Sequence, residues 1–151
     1  MTAQTTSTHY RERLTPGLGF FVAWLLVMPA VALIMLPINA QIAIPVAVAM
    51  YIAIAIIFFA LSPVIEVKDG VLHAGRASIP VDQIGVIEPL GAEPLRKTIG
   101  PEADARNYLL VRGWIHMGLK LEITDESDPT PYWIITSRKP LALAKAIQPE
   151  T

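Results

Sequence analysis

Hydrophobic and polar positions divide the chain into two stretches of different character. From Leu14 to Ile65 there is no Asp, Glu, Lys, Arg or His. A helix rises about 1.5 Å per residue, so roughly 20 apolar residues cover the ~30 Å hydrocarbon core of a bilayer. The stretch holds that length twice. It predicts two transmembrane helices, about 17–37 and 42–61, joined by the turn-forming connection Pro37-Ile38-Asn39-Ala40-Gln41. Soluble helices of such length carry a polar face, and neither of these does. Gly19, Ala23 and Ala30 share a face of the first helix, while Ala43 with Ala47 and Ala49 with Ala53 recur four apart in the second. A close-packing seam or the general abundance of alanine accounts for them equally well. Pro29 and Pro45 are candidate kinks.

Beyond the apolar stretch the period changes to two. Val64–Lys68 and Val71–Gly75 flank Asp69-Gly70, a two-residue hairpin signal. Further strands are expected at Ile84–Glu88, Tyr108–Trp114, Leu119–Thr124 and Pro131–Thr136. In the third of these, Leu119, Leu121 and Ile123 alternate with Lys120, Glu122 and Thr124, which gives one buried face and one wet face. Glu93–Ile99 reads as a short helix and Gly100–Asn107 as a polar loop. Pro140 suits a first helical turn, and Leu143, Ala146 and Ile147 follow at helical spacing, so a C-terminal helix is expected at about 140–148, packed on or capping the sheet.

The domains expected from the pattern are a polar N-terminal segment (1–13), a transmembrane hairpin (14–62) and a β-rich domain (63–151). The fold class is an α+β membrane protein with a small antiparallel β domain closed by a helix. Its element order resembles pleckstrin-homology-like bacterial domains, which is a statement of architecture and not of activity.

Charge sets the expected topology. Arg11 and Arg13 precede the first span, Lys68 and Arg76 follow the second, and the connection between them has no basic residue. By the positive-inside rule both termini and the β domain are cytoplasmic, which makes the chain a multi-pass protein of the inner (plasma) membrane. The polar start and the length of the apolar run also differ from a cleaved signal peptide. A net charge of −1 offers no basic field for nucleic acid. Cysteine is absent, which removes thiol nucleophiles, disulfides and thiolate metal sites. Transporters and voltage sensors keep ionisable groups within the bilayer, and these spans have none.

Candidate chemistry is sparse. His9, His73 and His116 lie in separate segments without metal-ligand spacing, and no Gly-x-Ser-x-Gly elbow occurs. Asp125, Glu126 and Asp128 lack the glycine and terminal glutamate of a calcium loop, and Asp128-Pro129 favours a solvated turn. No catalytic, cofactor or metal residue is assigned. Gly113-Trp114-Ile115-His116-Met117-Gly118 is an apolar loop between glycines. Its Trp114 reads chiefly as core, with lipid or partner contact as the sharper alternative. The basic pairs Arg96-Lys97 and Arg138-Lys139 suit anionic headgroups but fall short of the four to eight residues of a lipid-recognition cluster. The candidate interaction surface is Trp114, Ile115, His116, Met117, Arg138 and Lys139.

Tyr10-Arg11-Glu12-Arg13-Leu14, Asp69-Gly70, Tyr108-Leu109-Leu110-Val111-Arg112-Gly113-Trp114, and Asp128-Pro129-Thr130-Pro131-Tyr132-Trp133 with Thr136-Ser137-Arg138-Lys139-Pro140 together carry a resemblance over nearly the whole chain. It resembles an actinobacterial family of uncharacterised membrane proteins, domain of unknown function 3093. The resemblance implies two spans and a small β domain, and it transfers no catalytic residue. Ile115-His116-Met117 departs from the basic residues that relatives tend to carry there. The expected function is a non-enzymatic, membrane-anchored module that tethers its β domain at the inner leaflet for protein interaction or scaffolding. The lipid bilayer and a membrane or cytoplasmic protein are the expected partners, with homo-oligomers allowed. The alternative is a regulatory or structural subunit of an oligomeric transport or channel assembly.

Overall fold

The structure, a computed structural model, describes residues 8–148. Of the segments expected from sequence, residues 1–7 and 149–151 lie outside the described part. Strand β1 (Thr8–Arg13) is followed by helices α1 (Leu18–Trp24), α2 (Val27–Met35) and α3 (Ala40–Ala60). Strands β2 (Val64–Lys68), β3 (Val71–Ala74) and β4 (Ala77–Pro80) come next, then a single 3₁₀ turn at Val81–Gln83. The chain ends with β5 (Ile84–Leu90), α4 (Ala92–Ile99), β6 (Tyr108–Leu110), β7 (Gly118–Ile123), β8 (Tyr132–Thr136) and α5 (Pro140–Ile147).

Two compact units result. Thr15–Ser62 makes one, and the other is assembled from the chain on both sides of it, up to Leu14 and from Pro63 onward. The polar segment expected at residues 1–13 is therefore corrected over Thr8–Arg13. That part is an edge strand of the β unit, paired antiparallel with β2 from Thr8↔Lys68 to Arg13↔Val64. The strand is easily missed because its side chains are mostly polar. Arg11 and Arg13 are exposed, while the alternate positions Tyr10 and Glu12 are half-buried and the following Leu14 is fully buried. Charged residues along an edge also discourage pairing with a second chain.

The β unit contains two four-stranded sheets, ordered β1-β2-β3-β4 and β5-β7-β8-β6. The first is antiparallel throughout. Its β2–β3 hairpin turns at Asp69-Gly70, where φ is positive at both residues, as a primed turn requires. The second sheet is mixed, because β6 runs parallel to β8; this corrects the wholly antiparallel expectation. Alternate residues of both sheets fill one core, including Ile65, Val67 and Leu72 from the first, Leu119, Leu121 and Ile135 from the second, and Leu143 and Ile147 from α5. Strand β8 is buried on both faces, since Ile134 packs on the far side with Leu90 and with Leu95 of α4. Its unbroken apolar run follows from that double covering.

In the other unit, the helix expected at 17–37 is broken between α1 and α2. Pro29 has no N–H to offer the Leu25 carbonyl four residues back, and that carbonyl instead accepts from Met28 N at 3.1 Å in a tighter turn. Helix α3 stays continuous through Pro45, and Asn39 caps it by accepting from Gln41 N at 3.0 Å. Ala43 and Ala47 are buried, whereas Gly19, Ala23, Ala30, Ala49 and Ala53 are exposed. The seam is thus confined to one pair of alanines. Leu18–Met35 and Ala40–Ala60 are long and apolar enough, by length and composition, to cross a membrane.

Candidate functional site

The loop between β6 and β7 is shaped by the parallel pairing. Leaving β6 at Leu110, opposite Ile135, the chain must pass the end of β8 to begin β7 at Gly118, opposite Thr136. The strand expected over Tyr108–Trp114 accordingly stops at Leu110. Three bonds fix the crossing. Arg112 N donates to Thr136 Oγ1 at 3.1 Å, that hydroxyl donates to Leu110 O at 3.2 Å, and Ser137 N donates to Met117 O at 3.0 Å. A methyl group at Gly118 would collide with the Ile135 carbonyl oxygen, so the approach of the two strands requires glycine there.

Sequence-predicted site residues separate on this scaffold. Trp114 is half-buried against the main core, and its indole Nε1 donates to Leu14 O at 3.3 Å. Ile115 is only 5% exposed and belongs to that core, while one edge of it reaches an adjoining cleft. His116 and Met117 are exposed. Arg138 and Lys139 lie past the end of β8 beside Ser137, whose backbone bond to Met117 brings these three positions together.

Strand β1 is joined to this corner by a polar cluster that sequence reasoning missed. Glu12 Oε2 accepts from Tyr10 Oη and from Ser137 Oγ, both at 2.6 Å, and Glu12 Oε1 accepts from Arg138 N at 2.9 Å. Ser137 is fully buried and its Oγ also accepts from Lys139 N at 3.0 Å. Burial, and then the neighbouring Glu12 carboxylate, push the Tyr10 phenol up to about 12. The alternation of Tyr10, Glu12 and Leu14 was the available signal. With these oxygens committed to holding β1 against the start of α5, the cluster acts as a fastener between distant parts of the chain.

A cleft of about 820 Å³ lies between α4 and the crossing loop. Leu95 and Ile99 of α4 and Ile115 of the loop supply apolar lining; Arg96, Arg112 and His116 supply basic side chains. Helix α4 is oriented by burial of Leu95 against Leu90 and Ile134, which leaves Arg96 and Lys97 exposed. Glu93, the acid on the lining, is paired with Lys97 at 3.4 Å. Two sequence-predicted features, the Arg96-Lys97 pair and the Ile115-His116 loop, therefore meet at one cleft, and Arg112 joins them. By contrast, the acidic Asp125–Asp128 segment forms turns. Asp125 accepts from Ser127 N and Oγ, at 2.9 and 2.6 Å, which holds its carboxyl below the ordinary range, and Asp128 accepts from Thr130 N at 2.8 Å. Among the described residues no three His, Asp or Glu side chains converge as a metal site would require.

The profile of a family described as "Protein of unknown function (DUF3093)" matches residues 9–147. The match begins in β1 and ends with the last residue of α5, so it takes in the apolar helices and both segments of the β unit. No curated protein and no solved structure gives a match. The chain belongs to that family.

Proposed function

We propose that this family member is a membrane-anchored, non-enzymatic module whose apolar helices form a transmembrane hairpin and whose β unit recognises a protein at the inner leaflet. The observation that carries the reading is the closure of β1 on β2. Arg13 pairs with Val64, and Leu14 N donates to Pro63 O at 2.9 Å, so the chain leaves the β unit and re-enters it at adjacent points. An insert whose two ends are pinned side by side crosses a bilayer an even number of times. That argues for both ends on one side, independently of the positive-inside pattern of Arg11, Arg13, Lys68 and Arg76.

The exposed faces of the helices support the same reading. Leu18, Leu26, Ile38 and Ile44 are between 68% and 81% exposed, an arrangement that water penalises at about 25 cal/mol per Å² and lipid does not. We read the β unit as pleckstrin-homology-like in layout, two sheets over one core with a closing C-terminal helix, although its β6–β8 pair is parallel. Tethering raises the effective concentration of a membrane partner, so even a modest patch at Met117, Arg138 and Lys139 suffices for recognition.

A photo-crosslinking residue placed at Met117 tests this in intact cells. The expected result is a discrete crosslinked protein that disappears with Arg138→Glu and Lys139→Glu and is not captured from Ser78, an exposed position on β4. Capture from both positions alike, or from neither, overturns the reading.

A further inference from the structure

We propose that the cleft between α4 and the crossing loop is a binding site for an anionic amphiphile, a molecule with one phosphate or carboxylate head and an apolar body. Its volume of about 820 Å³ falls within the range of small-molecule sites, about 300–1,000 Å³. Composition selects the ligand. Leu95, Ile99 and Ile115 offer an aliphatic wall, which a bare phosphate would leave unfilled. Arg96 and His116 stand on opposite walls of the cleft, one on the helix and one on the loop, with Arg112 beside the latter. A neutral hydrocarbon would leave Arg96 and His116 unanswered. Among the described residues neither the Arg96 guanidinium nor the His116 ring is engaged in a hydrogen bond or an ion pair, and the lining acid Glu93 is already taken by Lys97. Guanidinium groups bind phosphate and carboxylate through paired, charge-assisted hydrogen bonds, and an apolar surround strengthens them.

The walls are also held in place before any ligand arrives. Leu95 anchors α4 to the outer face of β8, Thr136 fastens the loop at Arg112, and the Trp114 indole fastens it again at Leu14. Such preorganisation reduces the ordering cost of binding. Under the membrane-anchored reading, bilayer phospholipid is a source of the amphiphile alongside soluble acyl anions; the cleft itself does not depend on that reading.

The test uses the full chain in zwitterionic lipid nanodiscs, titrated calorimetrically with octyl phosphate, with empty discs as the reference. Saturable binding is expected, and Arg96→Gln combined with His116→Gln should weaken it at least tenfold. Both positions are exposed, so the variant keeps its fold, and an unchanged thermal transition verifies this. Inorganic phosphate and octanol at equal concentration should compete poorly. Equal competition by inorganic phosphate reduces the site to an anion patch, equal competition by octanol reduces it to an apolar groove, and undiminished binding in the double variant places the ligand elsewhere; each overturns the proposal. Repeating the titration in discs containing anionic phospholipid separates the sources. A loss of apparent affinity identifies the bilayer, and an unchanged affinity identifies a soluble amphiphile. Failure of the chain to incorporate into discs at all contradicts the anchor and is visible before any ligand is added.

Discussion

Leucine and isoleucine do opposite things in the two units of this chain. In the β unit, Ile65, Leu72, Leu119, Leu121 and Ile135 are sealed from solvent, and polar side chains such as Glu12 and Thr136 are spent on fastening one segment to another. In Thr15–Ser62 the same residue types point outward, and the buried positions are small ones such as Ala43 and Ala47. A polar contact there joins two helices: the Tyr51 hydroxyl of α3 donates to the Phe21 carbonyl of α1 at 3.0 Å. The same residue types are therefore sealed in one unit and exposed in the other, and under the proposed hairpin lipid rather than water meets the exposed set.

Substitution should expose this contrast most strongly in the core. Leu121→Ala removes a fully buried side chain and is expected to destabilise the β unit by about 2–5 kcal/mol in chemical denaturation. Leu26→Ala, at a position 75% exposed, should change the same measurement by less than about 0.5 kcal/mol. Equal costs would mean that the helices are packed against something in the manner of a soluble core.

The fastener across the β unit comes next in size. Glu12→Ala takes away the acceptor shared by Tyr10, Ser137 and Arg138, and a loss of about 1–3 kcal/mol is expected from the stranded donors. Limited proteolysis should then cut near the start of α5 before it cuts elsewhere. A smaller loss, about 0.5–1.5 kcal/mol, is expected for Trp114→Phe, which keeps an aromatic ring against the core and deletes the bond to Leu14.

Alkaline titration probes the same cluster most gently. The Tyr10 phenol ionises near 10 when unfolded and near 12 when folded. The folded state therefore holds its proton more tightly, and the stability this contributes is complete below pH 10 and is lost as pH rises from about 10 to 12. In Tyr10→Phe that portion of the alkaline decline should be missing.

Much of this architecture was legible in the sequence because the patterns were long or their turn chemistry was specific. The apolar stretch from Leu14 to Ile65, the Asp69-Gly70 hairpin, the alternation of Leu119, Leu121 and Ile123, and Pro140 at the start of α5 each lead to the element observed. Strand β1 was hidden because its inward side chains are Tyr10 and Glu12, whose polar atoms are answered by Ser137 and Arg138, more than a hundred positions away. Strand β4 was hidden by its brevity and by Pro80, which fits an edge but interrupts any alternating run. The parallel β6–β8 pair has no local signature at all. For that reason the crossing loop, and the cleft that joins Arg96 to Arg112 and His116, emerged only in three dimensions.

Single-cysteine labelling in intact cells decides on which side of the membrane each end of the proposed hairpin lies, since the chain has no cysteine of its own. A cysteine at Asn39, in the connection before α3, and one at Ser127, in an exposed turn of the β unit, report on the two ends of the proposed hairpin. An impermeant maleimide should label the Asn39 position on intact cells and the Ser127 position only after permeabilisation. Labelling at Ser127 from outside, or identical labelling of both positions, would contradict a hairpin that crosses the bilayer and holds its β unit inside.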